Sequence, residues 1–394
     1  MILFNNQRIL QVKYKHILIL FIFIHCTNYV FSAPFHGLLS HDMNSDSTIT
    51  FTYIDSTAHR VELESPCLLP GDDHSFAGRH VRRSMHQVQP AIWQLTTPRA
   101  LTPELYTFRL LVNGKAIIDL PTYEQLWKRN KRKYILLIEG SAQSDLYAMS
   151  DSPGQLDTIT FMGDSGNQFY AITYLPYNYN DTIAYPVLYL LHGINGNQYD
   201  WVGQGRINHI LDNLIQQEQL EPIIVVMPYC LLSRPKNIEH VKATNVGNYG
   251  EILSGKFEQH FHEISAYVQS HYSTSASGHG IAGLSCGARQ AANIAHLYPN
   301  TFSYVGLFSP VVSSKQLPDA NTEIHYWVGA CTDDWMFYNN AKHYVKGLRK
   351  RGIQPIYVEK SGGHTFTNWR KFATEFLKWA YPNNTNTELK TKNL

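Results

Sequence analysis

Gly280-Ile281-Ala282-Gly283-Leu284-Ser285-Cys286-Gly287-Ala288 decides how this chain folds. An apolar stretch of strand length runs into Gly283, and a helix-forming stretch from Ala288 to Leu297 leaves it. Between them stands a serine with glycine two residues before and two residues after. A strand that turns directly into a helix leaves no room for side chains beside the turn, which favours glycine at both flanks. The serine hydroxyl is then held clear of the sheet, beside the positive end of a helix. Five residues alone carry little weight, so the surroundings must confirm the motif.

From about Leu156 onward the surroundings read as alternating strand and helix. Val187 to Leu191, Ile223 to Met227, Gly280 to Gly283, Tyr304 to Phe308, Ile324 to Val328 and Ile356 to Glu359 are apolar runs of strand length. Helical spacing covers Ile207 to Gln216, Phe257 to His271, Ala288 to Leu297, Tyr338 to Arg351 and Thr367 to Ala380. Apolar strands interleaved with helices imply a sheet buried on both faces. In such sheets chemistry lies at the carboxyl ends of the strands, where Ser285 falls. Upstream, Thr48 to Tyr53, Arg60 to Glu64, the strand with Trp93 and Leu95, and Leu105 to Val112 read as short strands. Asn113-Gly114, between Leu105 to Val112 and Lys115 to Asp119, is a two-residue hairpin signal. The expected fold class is α/β, a doubly wound, mostly parallel sheet preceded by a small all-β sandwich. The expected divisions are a signal segment (1–33), the sandwich (45–121), a linker (122–155), the α/β domain (156–381) and a tail (382–394).

A serine nucleophile needs a base to take its proton and an acid to orient that base. In a sheet of this kind the order is serine, acid, histidine. Asp333 and Asp334 follow the strand Ile324 to Val328; Asp334 is preferred as the acid, with Asp333 the alternative. His364 follows Gly362-Gly363 after the last strand and is the candidate base. Two backbone donors are needed for a developing oxyanion, each worth roughly 3 kcal/mol in the transition state. One is the N–H of Cys286, directly after the nucleophile. The other is assigned to Ile194, in the loop His192-Gly193-Ile194-Asn195-Gly196. His192 itself reads as a structural residue that holds this loop. Trp201 and Trp335, with Tyr199, stand near these loops as candidates for a substrate cleft, with simple packing the alternative.

Bulk properties bound the remainder. The chain has 394 residues, 44% apolar and 16% charged, with a formal net charge of +2. This describes an ordinary globular protein with no electrostatic footprint for nucleic acid. The basic run Lys128 to Lys133 reads as a solvated linker. No cofactor is expected, and no His or Cys spacing suits a metal. Arg8, Lys13 and Lys15 precede the apolar run Ile17 to Ile24, followed by small and polar residues through Ala33. That run is too short to span a bilayer but suits an export signal, cut after Ser32 or Ala33. A secreted or periplasmic chain without stable membrane association is therefore expected. A lipoprotein anchored at Cys26 is the alternative. The other cysteines, Cys67, Cys230, Cys286 and Cys331, read as buried free thiols.

Four ordered motifs carry a family resemblance. They are Pro186-Val187-Leu188-Tyr189-Leu190-Leu191-His192-Gly193, Ile281 to Gly287, Thr332-Asp333-Asp334 and Gly362-Gly363-His364-Thr365-Phe366. Over Leu156 to Tyr381 the chain resembles the esterase D-like α/β-hydrolases. That group includes the feruloyl and acetylxylan esterases of carbohydrate esterase family 1 and the enterochelin esterases. By position the resemblance implies Ser285, His364 and Asp334 as the triad, with Ile194 and Cys286 as oxyanion donors. Cys286 departs from the usual Met-Gly after the serine, and Cys331 replaces the glycine of Gly-Thr-x-Asp. Residues 48–119 are similar to the immunoglobulin-like domain, akin to carbohydrate-binding family 48, that precedes many such esterases. The implied activity is a serine ester hydrolase acting on feruloyl or acetyl esters linked to plant polysaccharide. The alternatives are a siderophore trilactone hydrolase, an acyltransferase of the mycolyltransferase kind, and a carbohydrate-binding protein with an inert hydrolase domain.

Overall fold

Alternation in the front third of the chain becomes two antiparallel sheets. The computed structural model describes residues 37–71, 79–120, 122–128, 131–232, 247–319 and 322–383. The expected export segment (1–33) with Cys26, the centre of the 231–253 loop and most of the tail lie outside the described residues. The front strands are β1 (Leu38–Met43), β2 (Ile49–Ile54), β3 (Val61–Ser65), β4 (Val81–Ser84) and β5 (His86–Gln89). They continue as β6 (Ile92–Thr96), β7 (Glu104–Val112), β8 (Lys115–Ala116), β9 (Gln125–Lys128) and β10 (Lys131–Ile138). One sheet runs β1-β2-β6-β5; the other runs β4-β3-β7-β10-β9, with β8 on β7. Ile49, Phe51 and Tyr53 of β2 meet Phe108, Leu110 and Val112 of β7 in one core, so the two sheets form a sandwich. Asn113 and Gly114 take φ of +51° and +79°, the left-handed pair a two-residue hairpin needs. The strand after this turn is shorter than its sequence suggests, because pairing with β7 stops at Ala116.

The stretch 122–155, expected as a linker with one apolar strand (Tyr134 to Ile138) packing on the following domain, supplies two strands to the front sheet. β10 pairs with β7 from Tyr134↔Phe108 to Ile138↔Glu104, and β9 pairs with β10. The physical reason is that β10 has two apolar faces. Tyr134, Leu136 and Ile138 enter the sandwich core, while Ile135 and Leu137 pack with the residues of the large sheet and its helices. The basic run is likewise not simply solvated: Lys133 is buried, its Nζ 2.8 Å from His80 Nε2. The described residues form one compact unit.

The large sheet comprises β11 (Gln155–Met162), β12 (Gln168–Leu175), β13 (Val187–Leu191), β14 (Ile224–Pro228), β15 (Gly280–Leu284), β16 (Tyr304–Phe308), β17 (His325–Cys331) and β18 (Ile356–Lys360). Its order is β11-β12-β14-β13-β15-β16-β17-β18. β11, β12 and β14 pair antiparallel, and from β14 to β18 every pairing is parallel. Helices α1 (Asp200–Gly203), α2 (Ile207–Gln216), α3 (Gly247–Ser254), α4 (Lys256–Gln259), α5 (Phe261–His271), α6 (Cys286–Leu297), α7 (Tyr338–Lys350) and α8 (Phe366–Ala380) connect the strands. The single helix expected over Phe257 to His271 is two, because His260 (φ −100°, ψ 7°) ends α4 and starts α5. Successive strand residues point to opposite faces. Val187, Tyr189 and Leu191 pack with α5, α6 and α7, while Leu188 and Leu190 pack with α2 and α8. Covering both faces explains why these strands are apolar throughout.

This order also fixes where a site can form. The chain leaves β13 toward β14 and leaves β15 toward β16, so the two loops diverge from neighbouring strands. Such a reversal opens a crevice at the carboxyl ends of the strands. The His192–Gly196 loop and Ser285 flank it.

Candidate active site

Ser285 stands between β15 and α6 with φ +55° and ψ −120°, outside the regions an L-residue adopts without strain. Its N–H donates to Phe308 O at 2.9 Å, and its carbonyl accepts from Ala288 N–H at 3.1 Å. Both flanking glycines are required. A Cβ on Gly283 would lie 2.5 Å from the carbonyl carbon and oxygen of Gly287, and one on Gly287 would run into His192 O. Cys286 is the first residue of α6, where a helix leaves backbone N–H groups without an intrahelical acceptor. Its amide is therefore a ready donor toward a charge forming at Ser285.

The Cys286 side chain is more involved than its backbone role requires. Burial pushes the thiol up to about 11, against the opposing pull of hydrogen bonds from the Ser285 hydroxyl and the Ile194 backbone. The thiol is thus neutral near pH 7, packed among Tyr170, Tyr229, Leu231 and Ile252, with Ile194 at the edge of that cluster. Ile194 and Cys286, read separately from the sequence, are neighbours. All four cysteines from Cys67 onward are buried and free.

His192 secures the loop before Ile194. Its Nδ1 lies 2.7 Å from Gly193 O, and Nε2 lies 3.0 Å from the Cys230 N–H. A carbonyl only accepts and an amide only donates, so Nδ1 carries the proton and the ring is neutral. Burial lowers its pKa to about 4. With both nitrogens engaged, this imidazole has none left for proton transfer.

The candidate acid and base come from loops after β17 and β18. Leu284, Phe308, Gly329 and Val358 form one row across β15, β16, β17 and β18. Ser285, Asp334 and His364 lie just past that row at the same end of the sheet. Asp334 is wholly buried, and its Oδ2 lies 2.7 Å from His364 Nδ1. A carboxylate only accepts, so Nδ1 donates and the proton-accepting nitrogen of the ring is Nε2. Asp333 has a different task. Its Oδ2 accepts the Gly362 N–H at 2.9 Å, and its own N–H donates to Gly362 O at 3.2 Å. Gly362 takes φ +98°, which favours glycine. Asn368 Nδ2 donates to Gly363 O at 2.9 Å and closes the loop from the α8 side.

Trp369 completes the frame. Its indole meets the His364 ring edge-on at 4.7 Å and donates to Ser309 Oγ at 3.2 Å. Ser309 follows Phe308, whose carbonyl holds the Ser285 amide. Neither Trp369, Asn368 nor Ser309 was singled out from sequence: Trp369 and Asn368 sit inside an amphipathic helical pattern, and Ser309 follows a strand without a motif.

Trp201, read as a candidate for the substrate cleft, belongs to the core. It is 1% exposed, its Nε1 donates to Leu191 O at 3.0 Å, and it packs edge-on against Phe308 and Phe366. A large aromatic with a satisfied N–H is a packing residue. Trp335 is 68% exposed, next to Asp334. Among the described residues no group of three or more His, Cys, Asp or Glu side chains is placed to hold a metal ion. No described helix is long and apolar enough to cross a membrane.

Comparison with known proteins agrees with this arrangement. Residues 165–393, more than half of the chain, match the sequence family described as "Putative esterase". The chain belongs to this esterase family. The esterase is 27% identical over 291 residues to an endo-1,4-β-xylanase/feruloyl esterase of Xylanibacter ruminicola, covering 71% of this chain and 39% of that protein. It thus spans about two fifths of that relative's length. Among solved structures, a carbohydrate esterase family 1 ferulic acid esterase of Anaeromyces mucronatus superposes with a TM-score of 0.51 at 19% identity. That match covers 59% of this chain and 94% of the other. The enterobactin esterase of Shigella flexneri superposes with a TM-score of 0.58 at 15% identity, over 88% of this chain and 96% of the other. A match of that extent takes in the front sheets as well as the α/β-hydrolase sheet.

Proposed function

We propose that this esterase is an exported serine carboxylic-ester hydrolase that works through an acyl-enzyme. Ser285 is the nucleophile, His364 the general base and Asp334 the residue that orients the ring and stabilises the imidazolium that forms. The observation that carries the reading is the 2.7 Å contact between His364 Nδ1 and Asp334 Oδ2, beyond the same strand ends as the strained Ser285. In the first half-reaction Ser285 Oγ attacks the ester carbonyl while His364 Nε2 takes its proton. The oxyanion gathers on the backbone N–H groups of Cys286 and Ile194. Collapse breaks the bond to the alcohol, which receives the proton from His364, and leaves acyl-Ser285. Water, deprotonated by the same nitrogen, then attacks the acyl carbon; cleavage of the bond to Ser285 Oγ releases the acid, and His364 returns the proton to Oγ.

The substrate class proposed is a feruloyl or acetyl ester linked to plant polysaccharide. It is supported by the xylanase/feruloyl esterase relative and by the basic-then-apolar pattern of residues 1–33, which suits an export signal. Trp335, exposed beside the acid loop, is the proposed contact for the sugar or aromatic part. The test is to assay wild type and Ser285→Ala on feruloylated xylan, acetylated xylan and a catechol trilactone, with and without a sugar acceptor. Hydrolysis of a xylan ester by wild type alone is expected. Preference for the trilactone, or acyl transfer to the sugar, would replace the substrate reading. Full activity in Ser285→Ala would overturn the mechanism.

A further inference from the structure

Glu104 opens β7 in the front sheet, yet its partner lies on α8, 266 residues away. Arg370 Nη2 is 2.8 Å from Glu104 Oε1 and 3.4 Å from Leu105 O, and Arg370 Nη1 donates to Gln204 O at 2.8 Å. The guanidinium also lies over the Tyr147 ring, 4.9 Å from its centre. Arg370 is 2% exposed and Glu104 7%. A second arginine reinforces the same point: Arg206 donates through Nε and Nη2 to Tyr147 O at 3.3 and 3.1 Å and pairs with Glu124. Leu105, Ile135 and Leu137 of the front sheet share one core with Tyr147 and with residues of α2 and α8.

What Arg370 touches is significant. It directly follows Trp369, which braces the His364 ring, and α8 starts two residues after His364. Gln204 caps α1, whose Trp201 holds the carbonyl of Leu191, the residue before the His192–Gly196 loop. One guanidinium therefore joins the front sheet, the helix behind the base, and the helix behind the oxyanion loop. Interiors transmit small displacements because they are close-packed. Catalytic geometry tolerates little of it, since a 1 Å misplacement can cost about 100-fold in rate.

We infer that Glu104 and Arg370 are positioning residues for the reaction, and that through them the front sheet sets the distance between the His364 loop and the oxyanion loop. The inference rests on the proposed roles of His364 and Ile194. The pair is buried, so losing Glu104 leaves the Arg370 charge uncompensated, while losing Arg370 leaves Glu104 only Lys371, whose Nζ lies 3.6 Å from Oε2. Its role must therefore be separated from plain stability.

The test compares Glu104→Gln and Arg370→Lys with Ile135→Ala, which removes apolar packing at the same interface and leaves the pair intact. Melting temperature, kcat and KM for p-nitrophenyl acetate, and hydrogen exchange across residues 362–365 are measured on each full-length protein. Rates are taken well below each melting point, and two pair variants ensure that one folds if the other does not. Both pair variants are expected to lose at least tenfold in kcat with KM within twofold, and to exchange faster at 362–365. Ile135→Ala is expected to melt lower with kcat within twofold. Pair variants that melt lower but keep kcat and exchange at 362–365 unchanged would overturn the inference. If wild type is not labelled by a fluorophosphonate, the proposed function fails, while the exchange measurement still decides whether the pair orders the His364 loop.

Discussion

Asp334→Asn isolates what the buried acid contributes. The substitution keeps size and shape at a position with no solvent exposure, so packing is preserved. Two things change. The amide presents an NH₂ toward His364 Nδ1, 2.7 Å away, which favours the tautomer with its proton on Nε2. That nitrogen then has no lone pair for the Ser285 hydroxyl. The negative charge that stabilises the imidazolium is also gone. In a Ser-His-Asp site the same change lowers kcat by about 10⁴-fold, equivalent to ~5 kcal/mol at 1.36 kcal/mol per decade. Asp333→Asn is the internal control. It leaves an amide oxygen able to accept the Gly362 N–H and weakens that bond by the loss of its charge, ~1 kcal/mol, or less than about tenfold in rate. The assay is the initial rate of p-nitrophenyl acetate hydrolysis across pH 5–9, with the folded fraction checked by circular dichroism. Asp334→Asn within tenfold of wild type, or Asp333→Asn slower than Asp334→Asn, would refute the assignment of the acid.

Further outcomes follow from single contacts. Gly283→Ala forces a methyl against the Gly287 backbone at 2.5 Å, an overpacking cost of about 1–3 kcal/mol or more; a lower melting temperature and at least 100-fold less activity are expected, and an unchanged melt contradicts this. Cys286→Ala should stay within about fivefold of wild-type activity, and iodoacetamide should not inactivate wild type near pH 7, because burial keeps the thiol protonated up to about 11; rapid inactivation would show a thiolate at this position. His209 is held near 4, first by burial and then by the Arg206 charge. In the unfolded chain it protonates near 6.5, so its neutral form stabilises the fold above that pH and the contribution is lost as pH falls from about 6.5 to 4, up to ~3 kcal/mol. The stability of wild type relative to His209→Gln should therefore decline over that window; a pH-independent difference contradicts it.

How far the sequence could be read depends on the range of the interactions involved. The parallel strands were legible because burial on both faces makes each one an apolar run, and Ser285, Asp334 and His364 stand out as candidates because each follows such a run in a set order. The two glycines of the turn have a steric cause that reads from the motif alone. Interactions between distant segments left no local mark. Tyr134 to Ile138 reads as an apolar strand within a linker that packs on the following domain, and nothing local reveals that Tyr134, Leu136 and Ile138 belong to the sandwich core. Trp201 stands close in sequence to the oxyanion loop, but its indole turns back to the Leu191 carbonyl. Glu104 and Arg370 carry no motif, and only the packing of the front sheet on α8 brings them together.

The most direct test of Ser285 as the nucleophile is covalent capture. Wild-type protein is treated with a fluorophosphonate, digested and mapped by mass spectrometry while residual esterase activity is followed. One phosphonyl group on the peptide carrying Ser285, formed in step with loss of activity and absent from His364→Ala, is the expected result. An unlabelled Ser285 in a protein that still hydrolyses esters, or a label on another residue that tracks the loss of activity, would contradict it.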